Sequence, residues 1–599
     1  MAKRLTRAEV PVEQTWDLRD MFATPQAWEA EYDAVGNNIG SVTKYRGRLG
    51  ESGATLLACL IAQEDLTKQL MRVGSYASFN QSTDGTDPAN QAMAGRVASL
   101  MARVRAETSF IQSEILQLPD GTLERFMSEE PGLAEFRRML EKILDDKKHA
   151  LSPETERALA SLGEVLNAPQ MIYERSKASD MTFEPVRDAA GVEHPMSFAT
   201  YENHFERTAD TVLRRNAWAS FTKSLKAYQN TYAATWATEV KKNVVMARLR
   251  GYASATEYLL APQEISVEVY NNLHDVILKE LAPHMRRYAE LRKRVLGLDK
   301  MLYVDLEAPL DPDFAPATTF EKAGEIILKG LSVLGPEYTK VIETGLKSRW
   351  IDWADNIGKS TGAFCSSVYG VHPYILITWT NSMRNALTLG HELGHAGQGV
   401  TAQRHNRLSN SRPSMFFIEA PSTINELLIG NMLLDESTDS RMRRWVAMQF
   451  LTTYHHNYVR HLIEGELQRR MYAIAEKGQT ITAQTLCSVQ GDILKEFWGD
   501  ILELDDGARL TWMRQPHYYM GLYPYSYSAG LTIGTVVSQA IRKEGAPAAA
   551  RWIEVLKAGG TKKPLELAKM AGVDMTDPET IRGAVRYVGT LVDEVVKSF

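Results

Sequence analysis

Two histidines and a glutamate near the middle of the chain have the spacing of a metal site. Residues 389–395 read Leu-Gly-His-Glu-Leu-Gly-His. On a helix, residues four apart share a face, so the rings of His391 and His395 can reach one metal ion. Glu392 projects beside that ion, where a carboxylate can accept a proton from a metal-bound water. The spacing therefore predicts a helix that carries a hydrolytic metal site.

The third protein ligand must come from another segment, because a catalytic zinc usually has three protein ligands and one open position. Residues 416–428 contain two glutamates, Glu419 and Glu426, in otherwise uncharged surroundings. They are seven residues apart and fall on one face of a helix. One glutamate would bind the metal, and the other would hold a histidine ring by its far nitrogen. The residues alone leave open which glutamate has which role.

Residues 514–530 concentrate neutral hydrogen-bond donors. The span holds His517 and five tyrosines, which are Tyr518, Tyr519, Tyr523, Tyr525 and Tyr527. Neutral donors on a flexible, glycine-containing loop can stabilise a tetrahedral oxyanion without adding charge. We therefore expect this loop to form one wall of the site.

Two long stretches, residues 360–383 and 515–541, contain no Asp, Glu, Lys or Arg. Their length alone would suit a membrane span. Both, however, contain several Ser, Gly, His, Pro, Thr, Gln, Asn or Tyr residues. The basic N-terminus is followed by Pro11, Glu13 and Asp17 instead of the apolar run of a signal peptide. We expect no membrane segment and predict that both stretches are buried or line a cleft.

The overall composition excludes several classes of function. The chain of 599 residues has 68 Lys and Arg against 74 Asp and Glu, a net charge of -6 without long charged blocks. This charge gives no basis for binding nucleic acid or an anionic membrane. Cys59, Cys365 and Cys487 are too few for a disulfide framework and lack the close pairs of a structural zinc site. These features favour a cytoplasmic protein.

Helical periodicity dominates the chain. Apolar residues recur at three-and-four spacing in residues 90–118, 133–144, 208–250, 267–296, 441–477 and 547–557. Strand-like runs are few: the clearest covers residues 374–379, just before the histidine pair, and a weaker one covers 301–305. The predicted fold class is mostly α, a large helical body with one small β-sheet beside the metal-binding helix.

A polar, turn-rich segment at residues 187–195 is the predicted junction between two domains. It separates an N-terminal helical domain, residues 1–190, from a catalytic domain, residues 191–599. No Gly/Ser-rich or Pro-rich linker occurs in the sequence. We therefore expect the two domains to pack into one body.

These motifs, in this order, resemble the oligoendopeptidase F branch of the thimet-oligopeptidase-like zinc metallopeptidases. The likeness extends over nearly the whole chain. Besides the His-Glu-Leu-Gly-His segment, it rests on residues 418–426 (Ile-Glu-Ala-Pro-Ser-Thr-Ile-Asn-Glu) and on residues 517–530. Residues 11–22 and 230–252 give further support.

The resemblance implies a zinc endopeptidase that cleaves short peptides, with one zinc per chain and a deep substrate channel through the helical body. The implied site residues are the zinc ligands His391, His395 and Glu419, the general base Glu392, which activates a zinc-bound water, and His517, Tyr523 and Tyr527 in the catalytic loop. The resemblance thus selects Glu419 over Glu426 as the ligand. Because Pro421 has no N–H to donate, the helix after Glu419 must begin near that residue or be kinked there.

The uncharged run 374–379 suggests how a peptide would bind. A strand placed just before the histidine helix is suited to pair its backbone with an extended peptide, a mode that tolerates many sequences. We hypothesise that this strand lies along the cleft.

Two other functions agree with part of the pattern. A helical zinc metallocarboxypeptidase would share these motifs and would need a cation for the terminal carboxylate of its substrate, for which Arg514 near His517 is a candidate. A peptide-binding protein with an inactive site is disfavoured, because binding alone does not require Glu392.

Other reactive side chains receive no role in the site. We expect His149 on a solvated surface, and His455, His456 and His461 lack the four-residue spacing of metal ligands. Cys365 has no basic neighbour in sequence to lower its pKa, so we assign it to packing.

Overall fold

The computed structural model describes residues 4–599, and helices account for most of them. Helices contain 72% of the residues and strands 3%. The mostly α fold predicted from the sequence is therefore confirmed.

The N-terminal part is helical before its first strand. Its helices are α1 (Pro25–Thr43), α2 (Gly53–Thr83), α3 (Pro88–Thr108), α4 (Phe110–Gln117), α5 (Thr122–Glu129), α6 (Arg137–Lys147), α7 (Pro153–Ser161), α8 (Gly163–Leu166) and α9 (Ala168–Arg175). Strands β1 (Val186–Arg187) and β2 (Glu193–His194) form a short antiparallel hairpin at the predicted junction. The domain boundary at residue 190 stays a prediction.

The remaining chain contains the second set of helices and a three-stranded sheet. In chain order the elements are α10 (Phe198–Asn203), α11 (Thr211–Leu249), α12 (Ala255–Leu260), α13 (Val267–Val295), α14 (Phe320–Leu331), α15 (Pro336–Lys347), β3 (Ile351–Asp352), β4 (Phe364–Ser367), β5 (Pro373–Leu376), α16 (Met383–His405), α17 (Ala420–Glu436), α18 (Ser440–Tyr454), α19 (His461–Glu476), α20 (Ala483–Trp498), α21 (Pro524–Glu544), α22 (Ala546–Ala558), α23 (Pro564–Met570) and α24 (Pro578–Ser598).

The small sheet has the strand order β3-β5-β4. Strand β5 pairs in parallel with β3 and antiparallel with β4, so both of its edges are occupied. Residues 374–376 of the run 374–379 therefore do lie in a strand, which is the central and fully buried one, whereas residues 377–379 lie beyond its end. The hypothesis that this strand pairs with a peptide is wrong, because no free edge is left on β5.

Strand β5 joins the two hydrophobic cores of the molecule. Tyr374 and Leu376 pack in the core formed by the N-terminal helices. Ile375 and Ile377 pack in the larger core formed by the C-terminal helices. This division follows from the alternation of side chains along a strand. The two parts of the chain thus pack into one body, as expected from the absence of a linker.

The weaker strand prediction, for residues 301–305, is wrong. Only Leu302 forms a single bridge, to Glu503, and the chain then turns into a 3-10 helix at Tyr303–Glu307. The buried carboxylate of Asp305 accepts hydrogen bonds from the backbone N–H of Leu302 and from Arg214. These bonds stabilise a helical turn and leave no extended segment.

The helical pattern over residues 441–477 is confirmed with one irregularity. A π-helical turn at His455–Arg460 connects α18 to α19. An extra residue per turn changes the phase of the side chains, and such turns are frequent at functional sites.

Candidate active site

Helix α16 carries the histidine pair along one wall of a cavity. The helix begins after Ser382, whose hydroxyl accepts a hydrogen bond from the backbone N–H of Arg384. Thr388, His391 and His395 follow at three- and four-residue spacing, and all three line the cavity. The opposite face of the helix is buried against α17 and the core.

Helix α17 begins where the sequence predicted. Glu419 is its N-cap residue, and Pro421 lies in the first turn, where its missing N–H needs no partner. The backbones of the two helices come very close. A Cβ atom added at Gly394 would lie 2.5 Å from the carbonyl oxygen of Pro421 and 2.6 Å from the Cα atom of Ser422. Glycine at this position therefore allows Glu419 to reach the histidines.

The three predicted ligands, which we call the metal triad, converge on one point. Oε2 of Glu419 lies 3.5 Å from Nε2 of His391 and 3.4 Å from Nε2 of His395. Two ligands bound tetrahedrally to zinc at about 2.0–2.2 Å are separated by about 3.3–3.6 Å, whereas most hydrogen bonds between nitrogen and oxygen are shorter, about 2.7–3.2 Å. The donor set and its separations therefore fit zinc.

Glu426 contacts the far side of one triad histidine. Its Oε2 lies 3.3 Å from Nδ1 of His391, and its Oε1 accepts a hydrogen bond of 2.7 Å from Thr453. A carboxylate in this position would fix the ring so that Nε2 faces a metal held by the triad. Glu419 and Glu426, whose roles the residues alone left open, thus contact opposite nitrogens of the His391 ring.

The charges in this site are strongly coupled. Burial opposes ionisation of both groups, but the close approach of the carboxylates of Glu419 and Glu426 raises the pKa of His391 well above its usual value, and the two histidines hold the pKa of Glu419 well below its own. Burial also raises the pKa of Glu392, against the influence of the two histidines. The site therefore concentrates negative charge where a cation would be stabilised.

The cavity beside the triad has a volume of about 1230 Å³. Its walls include β4, α16, the beginning of α17, the end of α18, the π-helical turn, the residues around the start of α21 and the segments 306–315 and 408–418. The first uncharged stretch contributes residues 363–367 and Tyr369, and the second contributes Tyr523 and Tyr527. The prediction that both stretches line one cleft is confirmed.

The tyrosine-rich segment is more ordered than a flexible loop. A 3-10 helix spans Pro516–Tyr519, and α21 begins at Pro524, so Tyr527 is helical. The expectation of a flexible loop is wrong from residue 524 onward, because proline at the first helical position favours the helix. Tyr518, Tyr519 and Tyr525 are buried in the core.

Tyr523 and Tyr527 border the cavity, with ring centroids 5.2 Å apart. His517 lies behind them. Its ring centroid is 5.5 Å from that of Tyr523 and 5.7 Å from that of Tyr527, and it is not part of the cavity wall. The three residues thus form one cluster. Only its two tyrosines line the cavity beside the triad.

Arg514 is unavailable to a substrate. Its buried guanidinium donates hydrogen bonds of 2.7 and 2.9 Å to Glu206 and one of 3.1 Å to Glu202. A cation held by two carboxylates in the core cannot also bind a terminal carboxylate in the cavity. The carboxypeptidase alternative loses the cation on which it depended.

Three histidines that received no role lie at or near the site. His455 and His456 line the cavity, and the ring of His461 is 4.9 Å from that of His517. The π-helical turn directs these side chains, and regular helical periodicity does not capture such a turn. His149 instead stacks on Tyr252, outside the cavity wall.

Cys365 lines the cavity on β4. Burial raises the pKa of its thiol well above the usual value, and the charge of Glu392 adds to this effect. The thiol therefore stays protonated and is a poor nucleophile, in agreement with its assignment to packing.

Comparison with known proteins identifies the family. The model described as "Peptidase family M3" matches residues 205–587, and the one described as "Oligopeptidase F" matches residues 114–183. The chain belongs to peptidase family M3. As a member of this family it is a metalloendopeptidase, as the sequence predicted. Family M3 peptidases depend on zinc.

Relatives of this M3 peptidase align over almost its whole length. It is 34% identical to oligopeptidase PepF of Bacillus subtilis (strain 168), over 98% of this chain and 88% of the relative. It is 28% identical to an oligoendopeptidase F homolog of Borreliella burgdorferi, over 99% of this chain and 100% of the relative. The crystal structure of oligoendopeptidase-F from Enterococcus faecium superimposes with a TM-score of 0.76 at 26% identity, covering 96% of this chain and 99% of that one.

Within residues 4–599 of this M3 peptidase, every helix is too short or too polar to cross a membrane.

We expect the substitution Gly394→Ala to lower zinc affinity about 10- to 100-fold. The added methyl group would overlap the Pro421 carbonyl and force α17 away from α16, while metal–ligand distances tolerate only about 0.2 Å. Affinity is measured by competition with a chromogenic chelator. Gly40→Ala is the matched control, since a Cβ at that helical glycine meets no atom within 4 Å. Unchanged zinc affinity in the Gly394 variant would contradict the close contact between the helices.

Proposed function

We propose that this M3 peptidase is a zinc-dependent endopeptidase of short peptides, with zinc held by the metal triad and Glu392 as the general base. The observation that carries the proposal is the pair of separations of 3.4 and 3.5 Å between Glu419 and the two histidines. The relative named oligopeptidase PepF, 34% identical over 98% of this chain, supports short peptides as the substrate class.

Glu392 is suited to move protons in this site. Bound zinc would supply Lewis acidity, lowering the pKa of a water molecule and polarising the scissile carbonyl. The carboxylate of Glu392 lines the cavity next to the triad without contributing to it. It accepts a proton from the attacking water and returns this proton to the leaving nitrogen. Its pKa, raised by burial, makes the carboxylate a stronger base and so favours the first of these transfers.

Tyr523 and Tyr527 are suited to stabilise the oxyanion. Both face the cavity beside the triad. Burial raises the pKa of Tyr527, so its hydroxyl stays protonated and can donate a hydrogen bond. Neutral donors fixed before the reaction stabilise negative charge as it develops on the carbonyl oxygen. His517, packed against both tyrosines, would orient them or share the developing charge.

The edge strand β4 is the surface that we propose for the backbone of the peptide. It pairs with β5 on one side only, and all four of its residues line the cavity. A peptide that adds to this edge would be held mainly by main-chain hydrogen bonds, which are independent of sequence. This replaces the hypothesis that assigned the same role to β5.

An endopeptidase agrees better with the described residues than a carboxypeptidase. The cavity continues along α16 on both sides of the triad, from Arg384 to Gln403, and Arg514 is held in the core. We further propose a cytoplasmic location, supported by the three free cysteines.

We expect Glu392→Gln to retain the zinc content of the unchanged protein and to lower kcat about 10²- to 10⁴-fold, because the amide cannot accept a proton. Glu419→Gln is expected to lose zinc. Zinc per chain is measured by mass spectrometry, and turnover with a peptide blocked at both ends. Glu325→Gln, an exposed glutamate paired with Lys322, is the control. Turnover within tenfold of the unchanged protein in zinc-loaded Glu392→Gln would contradict the proposed base.

Binding at β4 predicts an alternating dependence on the peptide backbone. In a cleaved peptide, single amides away from the scissile bond are replaced by esters, which removes one N–H without adding bulk. We expect kcat/KM to fall about 2- to 10-fold at every second position and little between, because alternate residues of a strand face its partner. Equal effects at all positions would contradict pairing with this edge.

A further inference from the structure

Behind the two cavity tyrosines lies a second group of histidine and glutamate side chains. Oε2 of Glu464 is 2.9 Å from Nδ1 of His461 and 3.4 Å from Nδ1 of His517. Nε2 of His461 is in turn 3.0 Å from Nε2 of His456, which lines the cavity. We call these four residues the Glu464 network. Glu464 and His461 are almost fully buried in it.

The Glu464 network could bind a cation in principle, since three of its members have ligand atoms within 4.8 Å of one another. Its separations differ from those of the metal triad. The contact of 2.9 Å between His461 and Glu464 is a hydrogen bond, shorter than the roughly 3.3 Å that separates two zinc ligands. The other nitrogen of His461 is also occupied, by His456. The geometry therefore indicates a hydrogen-bonded network.

One protonation pattern satisfies every contact in the network. Burial lowers the pKa values of His456 and His461, so both rings are neutral. Burial would raise the pKa of Glu464, but His461 and His517 together hold it well below its usual value, so the carboxylate is ionised. His456 then donates from Nε2 to His461, and His461 and His517 each donate from Nδ1 to Glu464.

This pattern determines the state of His517. Its Nδ1 carries the proton that Glu464 accepts, which leaves Nε2 as the free nitrogen of the ring. A carboxylate behind an imidazole holds the ring in one tautomer and stabilises the imidazolium when the ring takes up a proton. His461 also stacks on Tyr527, with ring centroids 4.1 Å apart and an angle of 15°. His461 thus contacts a cavity tyrosine with its ring face, while its Nδ1 contacts Glu464.

We infer that Glu464 is a positioning residue for the proposed reaction and acts through His517. The carboxylate fixes the ring beside Tyr523 and Tyr527 and keeps Nε2 available to a tyrosine hydroxyl or to the substrate. This inference rests on the role given to His517 in the proposed function. His456 lies in the π-helical turn at His455–Arg460, and His461 follows that turn directly. The turn therefore places both rings within hydrogen-bond distance of each other.

The test is a double-mutant cycle on the zinc-loaded protein with an end-blocked peptide. We expect His517→Ala to lower kcat about 100-fold and Glu464→Gln to lower it about 10- to 100-fold, with KM changed less than threefold in both. Because Glu464 acts only through His517, the double variant should be no slower than His517→Ala within a factor of two. A residue that only stabilises the fold would instead give effects that multiply.

Glu466→Gln is the matched control. Glu466 is a buried glutamate on the same helix that pairs with Arg469 and Arg470 and makes none of the contacts of the Glu464 network. We expect its kcat to stay within threefold of the unchanged protein. Melting temperature and zinc content are measured for all variants. If Glu464→Gln does not fold, Glu464→Asp replaces it: it keeps the charge but withdraws it by one methylene, and we expect an intermediate loss of kcat.

Four results would overturn the inference. They are a folded, zinc-loaded Glu464 variant with kcat within twofold of the unchanged protein, multiplicative effects in the double variant, an equal loss in Glu466→Gln, and a second zinc per chain that disappears with Glu464→Gln. Full activity of His517→Ala would remove the role of His517 from the proposed function and the inference with it. A loss in His517→Ala but none in Glu464→Gln would overturn only the inference.

Discussion

The close contact between α16 and α17 is the constraint on which the site depends. The metal triad exists only because Glu419, at the beginning of one helix, reaches two histidines on the other. Gly394 permits this approach, since a Cβ there would lie 2.5 Å from the Pro421 carbonyl oxygen. On the other side of the same segment, a Cβ at Gly530 would lie 2.8 Å from Cβ of Glu419. Gly394 and Gly530 thus pack against the segment around Glu419 from two sides. Because this packing is close, a small increase in the distance between the helices would move Glu419 out of the geometry that a metal ligand needs.

The surroundings of the triad can be understood from the cost of burying charge. A carboxylate in the interior needs a charged or hydrogen-bonding partner. Two buried glutamates near the cavity have such partners: Glu426 contacts His391 and Thr453, and Glu464 contacts two histidines. Eight residues of the cavity wall come from the two stretches without charged residues. Neutral tyrosines and a protonated thiol therefore face the cavity beside the triad, where the proposed reaction would develop charge.

The sequence predicted the parts of the site that depend on local geometry. The histidine pair follows from helical spacing, and the start of α17 follows from Pro421. The features that the sequence did not predict depend on which strands pair and on irregular helical turns. Strand order placed β5 between two other strands, although its own residues only indicated an apolar strand. The π-helical turn brought His456 and His461 to the site, which a regular period cannot indicate. Glu419 and Glu426 share one helix face, so only the family resemblance separated their expected roles.

The central claim is that the metal triad binds the catalytic zinc. Anomalous diffraction at the zinc absorption edge, from crystals of the zinc-loaded protein, measures the metal position directly. The account predicts one peak per chain, about 2.0–2.2 Å from Nε2 of His391, Nε2 of His395 and Oε2 of Glu419. A peak within the Glu464 network in place of the triad, or no peak at the triad, would contradict it.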